Sequence, residues 1–321
     1  MDSNSLLQIF ITDCAEKLEK YLFECDDFEQ TINNISKQIP ILYDSPPLLS
    51  VAAFFGSINC FKMLCLNNAS IEHTDNKQRY PVHFAVCGGN MEILDILDSF
   101  SADYTVLDSN KIGCMHYASQ FGQFNVVQRL LQRNFSFNAR DSFGMSAVHY
   151  SAMFNSSVLI EFFHSKGAHL DIKSKCGTPF CIAVKHNSPE VVKYLIDNGV
   201  DSNQIINKRK DNALMYSIKK SFDDVAILII ENCHDIDQKN DEGWTAFHLA
   251  ASLGKERICE ELLKHDADIN ATTLFGATPL LLSMNGNFDE LSHFLEKEGG
   301  ALRVSSFNFS FPSMKSYNLN E

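Results

Sequence analysis

The stretch Gly243-Trp244-Thr245-Ala246-Phe247-His248-Leu249-Ala250-Ala251 decides the fold. It is the clearest copy of a unit that recurs from about Tyr43 to Ala301. The slot held by Thr245 is filled in turn by Pro47, Tyr80, Gly113, Ser146, Thr178, Asn212, Thr245 and Thr278, at intervals of 33, 33, 33, 32, 34, 33 and 33 residues. A fixed period of this length marks a solenoid, in which each repeat touches only its neighbours and the core grows in one dimension. Outward from the motif, the copies share their parts. A polar turn such as Asn240-Asp241-Glu242-Gly243 comes first, then a short helix such as 246–253. A residue suited to left-handed backbone closes that helix: Gly56, Gly89, Gly122, Asn155, Asn187 or Gly254. A second helix, such as 256–263, carries apolar residues at i, i+4 and i+5 and so has one buried stripe. A loop such as Asp266-Ala267-Asp268-Ile269-Asn270 leads to the next turn.

The residues Tyr80-Pro81-Val82-His83-Phe84-Ala85, Cys114-Met115-His116-Tyr117-Ala118, Ser146-Ala147-Val148-His149-Tyr150, Thr178-Pro179-Phe180-Cys181-Ile182-Ala183 and Thr278-Pro279-Leu280 repeat the theme. With Thr245–Ala251 they give the chain its resemblance to the ankyrin-repeat family, over about residues 43–301 and eight repeats in register. The resemblance implies an all-α solenoid of helix-turn-helix units with short β-hairpin-like tips. Some copies depart from it. The histidine slot holds Ser50 in the first repeat, Cys181 in the fifth, Met215 in the sixth and Leu281 in the eighth. The sixth is the weakest copy and is expected to be the least stable internal repeat.

Residues 1–42 lack the motif. Leu6, Phe10, Leu18, Tyr21, Leu22 and Phe28 recur at helical spacing, which predicts two helices, about 4–23 and 26–38. They are expected to form an N-terminal helical cap over the apolar end of the first repeat. Residues 302–321 are expected to be a flexible C-terminal tail, in which Phe307, Phe309 and Phe311 alternate.

The net charge of −13 disfavours attraction to nucleic acid or an anionic membrane. The ten cysteines show no paired framework; Cys60 and Cys65, like Cys176 and Cys181, are separated by four residues, which is not a zinc spacing. No basic leader with an apolar core opens the chain, and the apolar run 6–11 is too short to span a bilayer. The expectation is a monomer with free thiols in a reducing compartment, cytoplasmic or nuclear, without metal or cofactor. No nucleophile elbow, phosphate-cradling glycine loop or His-Glu-x-x-His motif appears. His83, His116, His149 and His248 come from different repeats. Helices stacked at about 8–10 Å keep even neighbouring copies too far apart to share one metal. A ring with one donor and one acceptor can instead tie a helix start to an adjacent turn. The expected protein is not an enzyme.

The informative positions are those the fold does not need. The resemblance implies that the turn tips and the exposed face of each first helix line a concave side where partners bind. Repeats one to four place Phe54, Phe55, Arg79, Ile112, Phe121, Phe143, Met145, Met153 and Phe154 in such slots. These residues either form an exposed apolar interface or fold back between repeats. Repeats five and six offer Lys173, Lys175, Lys185, His186, Lys208, Arg209, Lys210, Lys219 and Lys220. Residues 173–220 hold nine Lys or Arg against four acids, a local balance of +5, and the sign reverses over 231–270. This zone reads either as a basic face for an acidic segment of a partner protein or as an ordinary solvated face. Trp244 and Phe275 stand on tips; Trp244 is a hot-spot candidate or packs on a neighbouring hairpin. The expected function is a scaffold or adaptor for another protein. The alternatives are a regulator that inhibits an enzyme or recruits its substrate and, from another class, an enzyme or nucleic-acid binder, which the acidic balance disfavours.

Overall fold

Each repeat folds as two short helices because residues in the left-handed region punctuate it. The six expected closers of the first helices, Gly56, Gly89, Gly122, Asn155, Asn187 and Gly254, all have positive φ, and Ser221 and Asn287 fill the same role in repeats six and eight. Gly and Asn take this backbone at little cost, so the helix ends there. The computed structural model describes residues 3–25 and 39–302, in two units, Met1–Cys176 and Gly177–Glu321. The expected helix 26–38 and the tail from residue 303 lie outside the described residues.

In the N-terminal unit, the first helices are α3 (Leu48–Phe55), α5 (Pro81–Gly88), α7 (Cys114–Gln120) and α9 (Ala147–Met153). Their partners are α4 (Ile58–Leu66), α6 (Met91–Ser99), α8 (Phe124–Gln132) and α10 (Ser157–Ser165). In the C-terminal unit, α11 (Pro179–Lys185), α13 (Ala213–Lys220), α15 (Ala246–Ser252) and α17 (Pro279–Asn285) pair with α12 (Pro189–Asp197), α14 (Asp223–Ile230), α16 (Glu256–Lys264) and α18 (Asp289–Lys297). Within each unit a first helix packs on its own partner and on the first helix of the next repeat. This is the all-α stack that the period implied. The tips are short turns, two of them closed hairpin-like by a single antiparallel bridge. Their strand character is confined to single bridge residues, as in the antiparallel bridges Leu107–Gly113 and Ile205–Asn212.

The buried stripe of the second helices differs from the expected spacing. In α16 the buried residues are Ile258, Cys259 and Leu262, at i, i+1 and i+4, while Leu263 is only half-buried. Helices α8 (Val126, Val127, Leu130) and α12 (Val191, Val192, Leu195) repeat the pattern. A small thiol thus holds a core slot that was assigned to a leucine. Close packing also sets one glycine. A Cβ on Gly88 would lie 2.4 Å from the carbonyl oxygen of Phe54, so α5 can approach α3 this closely only without a side chain there.

The single helix expected over 4–23 is two, α1 (Ser3–Ile11) and α2 (Ala15–Cys25). The break is at Asp13, with φ of 48°. Its carboxylate accepts the backbone N–H groups of Asn59 (3.0 Å) and Cys60 (2.9 Å) at the start of α4. Those N–H groups have no partner inside their own helix, and a carboxylate is well placed against a helix N-terminus. Ser57 Oγ donates to the carbonyl of Phe10 at 2.5 Å. Leu6, Leu7, Ile9, Phe10, Leu18 and Leu22 are buried, with α1 against α3 and α2 against α4.

Candidate protein-interaction surface

The motif histidines are structural. In each, Nδ1 accepts the backbone N–H of the helix cap: Tyr80 for His83, Gly113 for His116, Ser146 for His149 and Thr245 for His248, at 3.1–3.2 Å. An accepting Nδ1 leaves the proton on Nε2, which donates to a carbonyl of the following loop: Val106 (3.1 Å), Ala139 (2.9 Å), Ile172 (3.2 Å) and Ala277 (3.0 Å) respectively. Burial pushes His83 and His248 down to about 4 and lowers His116, against the opposing effect of the carbonyl bond. These rings are neutral, saturated braces with no site for a ligand.

The tip carboxylates are also occupied internally. Asp75, Asp108 and Asp141 each accept two backbone N–H groups of their own turn. The second oxygen of Asp108 takes Tyr117 O–H and that of Asp141 takes Tyr150 O–H, both at 2.8 Å. Backbone bonds then link the tips of the N-terminal unit into a row. Asn76 N–H donates to Asp44 O, Ser109 to Lys77 O, Ser142 to Asn110 O and Lys175 to Phe143 O, each at 2.9 Å. In the C-terminal unit Asp241 N–H donates to Arg209 O and Leu274 N–H to Glu242 O, at 3.1 Å.

On this frame the candidate residues divide. Phe54 meets Phe55 edge to face at 5.3 Å and Phe121 at 5.9 Å, giving a half-buried aromatic cluster from α3 and the end of α7. Between them the corresponding slot of α5 is Gly88, which has no side chain to intervene. Phe154, in the same slot after α9, is 50% exposed, and Met153 beside it is half-buried. Phe143, on a tip, is 44% exposed, and Ile112 is half-buried.

Two residues of the N-terminal unit read as exposed are buried. Met145 is 3% exposed and Arg79 is 4% exposed. Arg79 donates from Nε to Asp75 (2.6 Å) and from Nη2 to the carbonyl of Ile41 (2.6 Å), pairs with Asp44 at 3.1 Å and lies over the Phe84 ring. Burial would lower this guanidinium, but Asp75 outweighs it and raises it. Arg79 is therefore an internal brace of the first tips.

In the C-terminal unit three of the six expected Lys and Arg side chains face acids. Lys219 Nζ lies 2.6 Å from Asp211, and the two side chains are 7% and 0% exposed. Burial alone would raise the Asp211 carboxyl; hydrogen bonds from Asn240, Lys219 and Asn207 hold it below its ordinary value instead. Lys210 pairs with Asp241 at 2.8 Å, and Arg209 lies 3.8 Å from Glu242. Lys220 is over the Tyr216 ring at 5.8 Å, Lys185 is half-buried, and Lys208 is exposed. Lys175 belongs to the N-terminal unit, where its Nζ donates to Ser142 O at 2.9 Å. Trp244 is half-buried with its ring 6.0 Å from that of His248, while Phe275 is 66% exposed. Leu274, 73% exposed beside Phe275, was missed, as was Leu107, 49% exposed at a tip base. Both flank tip-capping residues, Thr273 and Asp108, and that position was the available signal.

Among the described residues, no group of three or more His, Cys, Asp or Glu side chains could hold a metal ion, and no helix is long and apolar enough to cross a membrane. A family model described as ankyrin repeats in three copies matches residues 49–141, 115–205, 148–239 and 214–302. The chain is 25% identical over 209 residues to an L-asparaginase of Dirofilaria immitis, matching 65% of this chain and 30% of that protein. It spans less than a third of the length of each of three such relatives. Among solved structures, it resembles a chain from the complex of a predatory endopeptidase from Bdellovibrio bacteriovorus with an immunity protein. That match has TM-score 0.51 and 26% identity over 57% of this chain and 97% of the other. It resembles the human ASB11 ankyrin repeat domain in fold, with TM-score 0.61 and 18% identity over 70% of this chain and all of the other.

Proposed function

We propose, for a chain that belongs to the ankyrin-repeat family and so carries repeats that bind other proteins, a non-catalytic scaffold whose N-terminal unit holds a protein partner. The observation that supports this is the aromatic face of Phe54, Phe55, Phe121 and Phe154. These residues are incompletely buried although the repeat core beneath them is complete. Exposed aromatic groups on a rigid frame give large contact area at little ordering cost, which is the make-up of interface hot spots. Among the described residues nine cysteines form no disulfide and five of these are buried, which fits a reducing, cytoplasmic setting.

A photo-crosslinking residue at 154 should capture the partner from native extract, and one at 161, on the exposed side of α10, should not. Phe121→Ser with Phe154→Ser should reduce retention at least about tenfold while helicity is unchanged, as expected for loss of two hot-spot contacts. Equal capture at 154 and 161, or full retention by the double variant, would sink the reading. A second reading, a regulator that blocks an enzyme, draws on the similarity to a chain of the endopeptidase–immunity protein complex. It is favoured if the captured partner is an enzyme that loses activity when bound.

A further inference from the structure

The tips of the N-terminal unit sort their charges by burial. Asp75, Asp108 and Asp141 are 6%, 5% and 6% exposed and are turned into their own turns. The charged residues that remain exposed on those tips are basic, namely Lys77, Lys111, Arg140, Lys173 and Lys175, with no exposed acid in the turns 76–78, 109–112, 140–144 and 173–175. Asp44, beside the first tip, is partly buried and already pairs with Lys77 at 2.8 Å and Arg79 at 3.1 Å. A basic row on a chain of net charge −13 is a local arrangement, not a reflection of composition. Phe143 and Leu107, 44% and 49% exposed, add apolar footing along it.

We propose that this row binds an extended acidic segment of the partner, with carboxylates at every third residue. The proposal rests on the reading that the N-terminal unit holds a protein partner, and it moves the acid-binding role away from residues 208–220, where Arg209, Lys210 and Lys219 already face acids. The spacing follows from two rises. Stacked repeats advance by about one helix diameter, roughly 10 Å, and a peptide in the extended polyproline II conformation advances about 3.1 Å per residue with three residues per turn, so that every third side chain faces the same way. Three peptide residues therefore cover one repeat, and carboxylates at i, i+3, i+6 and i+9 meet the four basic tips in turn. A helical segment would advance only about 1.5 Å per residue and would fall out of this register. The row is also held in place. Backbone bonds join successive tips, and Arg140 Nη1 donates to Gly144 O (2.9 Å) and Lys173 O (2.8 Å), so its guanidinium is fixed across two turns before any ligand arrives.

The test uses labelled twelve-residue peptides of one composition, with glutamates at every third residue or clustered at one end. Fluorescence anisotropy with the full chain at low salt should show the spaced peptide binding at least about tenfold more tightly, with the difference shrinking as salt rises. K111E/K173E should weaken the spaced peptide at least about tenfold, and lysines at the two facing glutamate positions should restore binding to that variant. R140E, which also disturbs the turn, serves as a second variant to be read only with its helicity intact. Equal binding of the two peptides, or no loss with K111E/K173E, overturns the proposal. Phe154→Ser separates the two readings. If it abolishes partner capture while no peptide binds, the scaffold stands and the acidic register falls. If the spaced peptide binds but the partner is retained by Phe154→Ser, the aromatic face falls instead.

Discussion

Three consecutive repeats of the N-terminal unit are braced by histidine, and two consecutive repeats of the C-terminal unit are braced by glutamine. His83, His116 and His149 each reach a carbonyl 23 residues further along. In repeats five and six the histidine slot holds Cys181 and Met215, and the residues 23 further along are Gln204 and Gln238. Gln204 Oε1 accepts Thr178 Oγ1 at 2.6 Å, and Gln238 Oε1 accepts Asn212 Nδ2 at 2.7 Å. The brace has been reversed, with the long side chain supplied from the loop instead of the helix. What the repeat requires is a polar link between helix cap and loop, since a buried cap left without a partner costs about 1–3 kcal/mol. Either side of the contact can supply it. The choice has chemical consequences, because histidine titrates near neutrality and glutamine does not.

The largest effect should come from the buried Lys219–Asp211 pair, which takes up part of the expected basic face. Lys219→Met leaves the fully buried Asp211 carboxylate without its cation, and breaking such a pair costs about 3–5 kcal/mol. Adding Asp211→Asn should recover most of that loss, because neither charge is then stranded. Lys220→Met, one residue on, should change stability by less than about 0.5 kcal/mol, as expected of a surface change. Urea titration separates the three. Equal small effects at 219 and 220 would restore Lys219 to the solvated face that its sequence position implied.

The histidine braces predict the next effect. His83 and His248 sit near 4 in the folded protein against an ordinary 6.5. The unfolded chain therefore binds more protons between those values. Stability is fully present above pH 6.5 and falls as pH drops toward 4, by about 3 kcal/mol for each of these histidines. His116 shifts the same way. His83→Gln should lower stability at pH 7 and flatten its slope between pH 5 and 6.5 by nearly one proton, measured by urea titration at each pH. An unchanged slope would mean that the ring is not held neutral. Comparable in size to one cap, Asp13→Ala should cost about 1–2 kcal/mol by uncapping α4, with hydrogen exchange faster at Asn59 and Cys60 than at residues in α16.

The repeats were legible in the sequence because their punctuation is local. A helix cap, a histidine three residues on and a left-handed closer are fixed by the backbone of one turn, and Thr245, His248 and Gly254 show all three. The candidate surface was legible only in part. Arg79, Ile112, Met145, Asp211, Trp244 and Ala277 share the slot before the cap, and it was read as a tip and hence exposed. The slot points inward: Arg79, Met145, Asp211 and Ala277 are all under 5% exposed. Its mostly apolar occupants were the sign. The basic zone failed for a different reason. A charge count along the chain ended before Asp241 and Glu242, yet these lie on the next tip, beside Lys210 and Arg209. Neighbours one repeat apart in sequence are adjacent in space, so charge in a stacked array has to be counted across tips. The aromatic face fared better, because slots seven and eight after the cap lie at the outer end of the first helix in every repeat.

The smallest expected effect is the most direct probe of the reversed brace. Gln204→Ala removes the acceptor of Thr178 Oγ1 and Cys181 Sγ and should cost about 1–2 kcal/mol. Cys181→His alone places a ring where Gln204 already reaches and should also destabilise, by about 1–3 kcal/mol from overpacking. Together the two changes recreate the arrangement of the N-terminal repeats, with a ring reaching toward the carbonyl at 204 or 205 and no side chain in its way. The double variant should therefore lie within about 1 kcal/mol of the parent, a coupling far larger than independent sites show. It should also add acid sensitivity to repeat five beyond that of His186, which burial and then Lys185 already hold below its ordinary value, so that the double variant loses more stability than the parent as pH falls from 6.5 to 5. Additive losses would show that the cysteine and glutamine are not two halves of one contact. Recovery without the new pH dependence would show that space, not the hydrogen bond, had been restored.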